Sequence, residues 1–437
     1  KGIQVGWSNP CFEIWMYAYF GSMTAIQDSW TCWLDFGRVD ETKTGQKYSK
    51  TDELMYGKLC KVGDEEKAIQ ITQQKLEQCK REGKTKPSEM CPCTTVHELV
   101  REIKAKGVAT YDKKIKWKDS NVLGNLELNF MKPDGTVYNT VVIAGENGSG
   151  KTNILETLTN FLNLGSFDPL DELTYEVNGV TYTLTPADNN SNLGFHKRKN
   201  NADGTERLIA SNKNNSPASI EEDVLDIRHY GCVYTKARSG FGTRVIKSST
   251  TEQLDNSKYE NDEKEDFTQI KQMLVDIQIQ DDRTWARMSS TGTTMTYDQF
   301  APTSKTYRFQ KAFNDFFQEM QYDGIDEGAA EALNVFFKKN NHSISIDKLS
   351  TGEKQVVFRG AYLLRNSKTL EGGTVLIDEP ELSMHPKWQE KIFEYYRGLF
   401  SRNNTQTVQM ILATHSENVV RAALKDPDNV LVIILNN

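Results

Sequence analysis

Val141-Val142-Ile143-Ala144-Gly145-Glu146-Asn147-Gly148-Ser149-Gly150-Lys151-Thr152-Asn153-Ile154-Leu155 reads as three pieces of structure in a row. The β-branched run is a buried strand, the glycine-rich octet from Gly145 to Thr152 is a turn, and Ile154, Leu155, Leu158 and Leu162 recur at helical spacing after it. Each residue type in the octet has a geometric task. Glycines at its first and sixth positions let backbone N–H groups turn inward around phosphates, the Lys151 amino group reaches β and γ oxygens, and the Thr152 hydroxyl can take Mg2+. The positive end of the helix that follows adds to the same attraction. Gly145, Asn147, Gly148, Ser149, Gly150, Lys151, Thr152 and Asn153 are therefore candidate nucleotide-binding residues.

Three further stretches belong with this one. Val375-Leu376-Ile377-Asp378-Glu379 is a buried strand ending in two adjacent acids; beside the phosphate loop, Asp378 would hold Mg2+ and Glu379 would orient and activate an attacking water. Val408 to Ala413 is another buried strand, and Thr414-His415 at its end sets an imidazole within reach of a γ-phosphate. Lys348-Leu349-Ser350-Thr351-Gly352-Glu353-Lys354-Gln355 is a polar turn opening a helix of Val356, Val357, Phe358, Ala361 and Leu364. It is a second helix N-terminus able to bind an anion. Its own subunit already has a phosphate loop, so the expected ligand of Ser350, Thr351, Gly352 and Glu353 is the γ-phosphate held by another subunit.

Farther out, Ile115 and Trp117, then Leu126, Leu128 and Phe130, follow period two, and Thr174 to Leu184 reads as a hairpin about Asn178-Gly179. Residues 187–218 are rich in Asn, Ser and Lys, and residues 248–266 are polar and acidic; both are expected to be mobile surface segments. The run His196-Lys197-Arg198-Lys199 could touch nucleic acid through phosphates, although a solvated loop is the expected reading. Phe309, Phe313, Phe316, Phe317 and Met320 share one helical face and are expected to be core. Near the end, Thr374 to Ile377, Val408 to Ala413 and Val430 to Leu435 are buried strands alternating with helices from near Gly352 and over about Lys387 to Phe400, which means a parallel sheet covered by helices. Residues 1–110 look mainly helical, with a charged helical stretch from Asp52 through Lys80.

With 53 basic and 60 acidic residues in 437, a net charge of -7 argues against general coating of nucleic acid, so any polyanion must be met locally. No apolar run is long enough to cross a bilayer. Of seven cysteines all but Cys232 precede residue 94, and an odd count without a secretory leader leads us to expect reduced thiols in a cytoplasmic protein. Gly2 to Val5 reads as a short strand entered from upstream.

From its phosphate loop, Leu-Ser-Thr-Gly-Glu-Lys-Gln turn, Asp-Glu strand, Glu381-Leu382-Ser383-Met384-His385-Pro386 stretch and His415, in that order, the chain over about residues 111–437 resembles the ABC-type ATPase superfamily in its SMC- and RecF-like branch. The resemblance implies an α/β ATPase head: a mostly parallel sheet with helices, an antiparallel β subdomain and a helical insertion, with an insertion over about residues 165–345 between the phosphate loop and the Leu-Ser-Thr-Gly-Glu-Lys-Gln turn. It also implies two heads sandwiching ATP and Mg2+, in a head-to-head dimer or higher homo-oligomer, with Ser350 and Gly352 acting in trans and Ser383 near the seam. No glutamine loop is evident, and Tyr234 to Arg238 occupies its expected place. Sustained heptads for a long coiled-coil arm are lacking, which leaves compact heads similar to those of phage-defence systems.

Ser8-Asn9-Pro10-Cys11-Phe12-Glu13-Ile14-Trp15 with Tyr19-Phe20, and Thr94-Thr95-Val96-His97-Glu98-Leu99-Val100, resemble the carboxyl-terminal half of RloB-like proteins, presumed Toprim-type nucleases paired with ABC ATPases in abortive infection. That resemblance implies a smaller α/β segment over residues 1–110 and a Toprim nuclease effector, fused or in trans. It also implies a phage-protein trigger for the system. The family's acidic metal ligands would lie upstream of Lys1; Glu13 is at most an auxiliary acid, with a helix-capping or buried-pair role weighed equally against it. The competing expectations are a DNA-repair ATPase that clamps DNA, resembling RecF, and a nucleotide-dependent scaffold with little turnover.

Overall fold

The computed structural model describes residues 6–50, 55–100, 110–187, 195–210, 220–237, 241–250, 253–262, 266–290, 296–328, 332–402 and 405–435. The strand expected over Gly2 to Val5 lies outside them. The chain divides into two compact units, Lys1–Lys106 and Gly107–Asn437.

In the first unit β1 (Ser8–Asn9) leads to α1 (Glu13–Ala18), α2 (Ser29–Thr44), α3 (Met55–Val62), α4 (Glu65–Arg81) and β2 (Cys93–Thr94), which pairs antiparallel with β1. The charged stretch from Asp52 is broken at Gly63-Asp64, because the Asp64 side chain accepts from Lys67 N and caps a new helix. Every residue of α1 is buried, Glu13 included. Phe36 of α2 centres the core, with ring centroids 5.3 Å from Tyr17 and 4.9 Å from Tyr48.

The second unit opens with β3 (Thr110–Trp117), β4 (Glu127–Asn129), β5 (Thr140–Gly145) and α5 (Lys151–Leu162). Then come β6 (Leu170–Val177), β7 (Val180–Pro186), β8 (Phe195–Asn200), β9 (Glu206–Ala210), β10 (Cys232–Thr235) and β11 (Tyr259–Asn261). Next follow α6 (Phe267–Ser290), α7 (Tyr297–Phe300), α8 (Tyr307–Phe316), β12 (Met320–Gly328), β13 (Ala332–Lys339) and β14 (His342–Ser345). The chain closes with α9 (Thr351–Leu364), β15 (Thr374–Asp378), α10 (Pro386–Leu399), β16 (Ser401–Arg402), β17 (Thr405–Gln406), β18 (Gln409–Thr414), α11 (Glu417–Ala423) and β19 (Val430–Leu435).

Among the described residues the central sheet has the order β11-β10-β15-β18-β5-β19, parallel throughout. Its middle strands are apolar on both faces because each feeds two cores. Val142, Val375, Ile377, Met410 and Leu412 enter one cluster, and Val141, Ile143, Leu376, Ile411 and Ala413 enter the other. A second sheet, β4-β3-β6-β7-β8-β9, is antiparallel and turns at Asn178 and Gly179, both at positive φ. A third joins β12, β13 and β14. The fold is thus α/β, a parallel sheet with helices and antiparallel additions.

Two sequence expectations are corrected here. Residues 187–218 are not all surface loop: β8 and β9 extend the antiparallel sheet. Their inward positions are His196, whose ring lies 4.4 Å from that of Phe167, and Arg198, bonded to Asp223 at 2.7 Å, so no apolar alternation marked them. The basic run is therefore a strand, not a solvated loop. Residues 248–266 likewise contain β11, an edge strand of the central sheet, whose Glu260 binds Arg365 and Asn366. The aromatic stripe is core, as Phe309, Phe313, Phe316, Phe317 and Met320 are all buried, but α8 ends at Phe316 and Met320 opens β12.

Candidate active site

Parallel register brings the carboxyl ends of β10, β15, β18 and β5 to one edge of the sheet, where the turns after them carry Lys236, Glu379, His415 and the phosphate loop. The loop is held by its own lysine. Lys151 Nζ donates to the carbonyls of Gly145 (2.8 Å) and Glu146 (2.7 Å). Gly148 and Gly150 both sit at left-handed φ, 90° and 88°, and a Cβ on Gly150 would lie 2.7 Å from Leu123 Cδ2. Glycine is required there on both counts. α5 starts on Gly150 with no side-chain cap, which leaves its first N–H groups to the loop's interior.

The Thr152 hydroxyl donates to Asp378 Oδ2 at 2.9 Å, tying the loop to the end of β15. Asp378 Oδ1 is buried without a hydrogen-bond partner among the described residues. Burial pushes the Asp378 carboxyl above the usual carboxylate range and the Glu379 charge adds to the rise, while the Thr152 bond opposes it. An oxygen set with one buried atom unsatisfied fits a hard divalent cation.

Glu379 follows at φ 45°, a left-handed conformation uncommon for a residue with a side chain. Its Oε1 lies 3.1 Å from His415 Nδ1. Arg359 of α9, 2% exposed, fixes the backbone on both sides. Its guanidinium donates to the carbonyls of Glu379 (3.0 Å), Thr235 (2.9 Å), Lys236 (3.2 Å) and Asp378, and to Thr235 Oγ1 (2.7 Å). In the place expected for a glutamine loop, Lys236 pairs with Glu156 at 2.7 Å, and Asp262 accepts from Thr235 Oγ1 and Lys236 N. Arg238 lies outside the described residues.

Ser350 and Glu353 form a closed capping box at the start of α9: the Glu353 carboxylate accepts from Ser350 N (2.8 Å) and Ser350 Oγ (2.7 Å), and Lys339 reaches its other oxygen at 2.6 Å. Glu353 thus holds the turn, while Thr351 is exposed. Gly352 lies against Ser383 of the same chain, where an added Cβ would meet the Ser383 carbonyl at 3.1 Å. Asn147, Ser149 and Asn153 stand on the loop and first turn of α5, Ser149 Oγ being 3.5 Å from Lys151 Nζ.

Sequence reading gave no role to Arg359, Lys236 or Asp262, and named Glu381 only as part of a stretch. An arginine in an apolar helix face, and a third acid three positions after Asp378, were the signals available.

A family model described as "AAA domain, putative AbiEii toxin, Type IV TA system" matches residues 141–421, and one described as "RloB-like protein" matches residues 1–103. The chain is 38% identical over 96 residues to the Retron Ec83 probable ATPase of Escherichia coli, which covers 20% of this chain and 17% of that protein. Against the Retron Vc95 probable ATPase of Vibrio cholerae it is 36% identical over 97 residues, covering 20% and 18%. The match thus spans under a fifth of the length of either retron relative. The Septu protein PtuA of Bacillus thuringiensis is 22% identical over 325 residues, 69% of this chain and 70% of that one. Among solved structures, the SMC head domain from Thermotoga maritima aligns with 71% of this chain and 92% of its own at 16% identity and a TM-score of 0.37. The fold assignment rests on the sheet order above, not on that likeness.

Proposed function

Since this chain belongs to the AAA-domain family that matches residues 141–421, we propose that it is an ATP-binding and ATP-hydrolysing switch whose assembled heads control a Toprim-type nuclease effector in antiviral defence. The observation that carries the enzymatic part is the 2.9 Å bond between Thr152 and Asp378, which joins phosphate loop and acid strand beside Glu379 and His415. The RloB-like match at residues 1–103 and the retron and Septu relatives support the defence part.

In this reading Lys151 exchanges its two loop carbonyls for β and γ oxygens of ATP, and the inward N–H groups of the loop take the remaining phosphate charge. Thr152 and Asp378 are the residues that would hold Mg2+. Bound there, the ion would neutralise phosphate charge as it develops. Glu379 accepts a proton from the water that attacks the γ-phosphorus, ADP leaves, and His415 meets the γ-phosphate. Ser350 and Gly352 close on the nucleotide of a second copy. Turnover is slow, as a switch needs an ATP state that lasts.

The test is Glu379→Gln: ATP hydrolysis by the purified protein should fall about 100-fold or more with nucleotide binding intact. Equal hydrolysis in variant and wild type would remove Glu379 as the base. A protein that stays monomeric with a non-hydrolysable ATP analogue would remove the closure between copies.

A further inference from the structure

Glu381 lies two residues beyond Glu379 and is 2% exposed. Its Oε1 accepts from the Thr414 hydroxyl at 2.6 Å and from His415 N–H at 3.3 Å, and lies 3.6 Å from His415 Nδ1. Thr414 Oγ1 in turn accepts from Ser416 N at 3.0 Å, so the Thr414–His415 corner of the turn after β18 hangs from this carboxylate, while Ser416 Oγ is held separately by Gln389 Oε1 at 2.9 Å. Oε2 is buried and has no hydrogen-bond partner among the described residues. Burying a carboxylate with one oxygen unsatisfied is costly, so a stabilising role alone accounts poorly for the residue.

What the clamp fixes is the ring of His415. A carboxylate only accepts, so the 3.1 Å contact to Glu379 Oε1 places the hydrogen on Nδ1 and leaves Nε2 as the nitrogen open to a ligand. We propose that Glu381 is a positioning residue for ATP hydrolysis, holding the Thr414–His415 turn so that the His415 Nδ1–H orients the Glu379 carboxylate. The inference rests on the ATPase reading above. Without the clamp, the Thr414 hydroxyl and the His415 N–H lose their acceptor, and the ring is free to leave Glu379.

Glu381→Ala removes the clamp, whereas Glu381→Gln keeps a carbonyl oxygen for both bonds and removes only the charge. In steady-state kinetics Glu381→Ala should lower kcat about 10- to 100-fold with KM for ATP within about twofold, and Glu381→Gln should fall between it and wild type. In a His415→Ala background neither change should alter kcat by more than about twofold, because the effect passes through the ring. Nitrogen NMR of the imidazole should report the Nδ1–H tautomer in wild type and its loss in Glu381→Ala, without any turnover. Equal losses of kcat in both backgrounds, or an unchanged tautomer, would make Glu381 merely structural; if Glu381→Ala does not fold, Glu381→Gln carries the same comparison. Wild type without ATP hydrolysis would defeat the ATPase reading itself. Hydrolysis that Glu379→Gln abolishes and both Glu381 variants leave untouched would defeat this inference alone.

Discussion

Two helices in the second unit begin at glycine-containing turns, and they begin in opposite ways. α5 starts on left-handed Gly150 with no side-chain cap, and the Lys151 amino group rests on two carbonyls of its turn. α9 starts on extended Ser350, whose hydroxyl accepts from Glu353 N while the Glu353 carboxylate takes the Ser350 N–H and hydroxyl. Both present the positive end of a helix. The first has no side-chain cap; the second meets its Ser350 and Glu353 N–H groups from its own side chains. On the proposed reading, withholding caps would make a standing phosphate site, and a cap that must open would make a conditional one.

The largest effect that separates the two starts is on nucleotide binding. Lys151→Ala should weaken ATP binding by about 100-fold or more in equilibrium titration, while Ser350→Ala should leave the affinity of the isolated chain within about threefold. Equal losses would mean that both turns serve the same copy's nucleotide, and the contrast would be void. Next comes backbone strain. Gly150→Ala meets both a left-handed φ and Leu123 Cδ2, so denaturant unfolding should lose about 2 kcal/mol or more; Gly148→Ala, with the same φ and open space at the Cβ, should lose only about 1 kcal/mol.

At the capped start, Ser350→Ala should cost about 1 kcal/mol of stability, the ordinary worth of an N-cap. Smallest is the pH effect at Glu353. Burial opposes its ionisation, yet the bonds from Lys339 and Ser350 hold its carboxyl below the usual range. A carboxyl depressed in the folded state adds stability above its unfolded pKa of about 4.3 and loses it as pH falls through the folded value. The melting-temperature gap between wild type and Glu353→Gln should therefore be full at pH 7 and shrink below about pH 4. A gap independent of pH would show that the charge contributes nothing to the cap.

The same contrast explains what was readable in advance. The strand, turn and helix around Gly145 to Leu162 were legible because apolar period and glycine spacing are local properties. So were β15, β18 and β19, each a continuous apolar run. β8 escaped because its inward residues are His196 and Arg198, polar by type and buried against Phe161, Phe167, Tyr182 and Asp223. β11 escaped because three residues at a sheet edge carry no period. At the site, residue types named the chemistry, but contacts between distant segments stayed hidden: the Arg359 guanidinium on four carbonyls, Glu381 beneath His415, and Lys236 on Glu156 exist only after folding.

The Glu353 carboxylate at the head of α9 can also be viewed as a resident inhibitor. Tethered three residues from Ser350, it presents itself to those N–H and hydroxyl groups at an effective concentration far above that of any dissolved anion. Chloride or a lone carboxylate from solution would lose that contest. On the proposed reading, a multiply charged phosphate already fixed on a second copy would arrive with a high local concentration of its own, so the turn would discriminate by how its visitor is presented and not by charge alone.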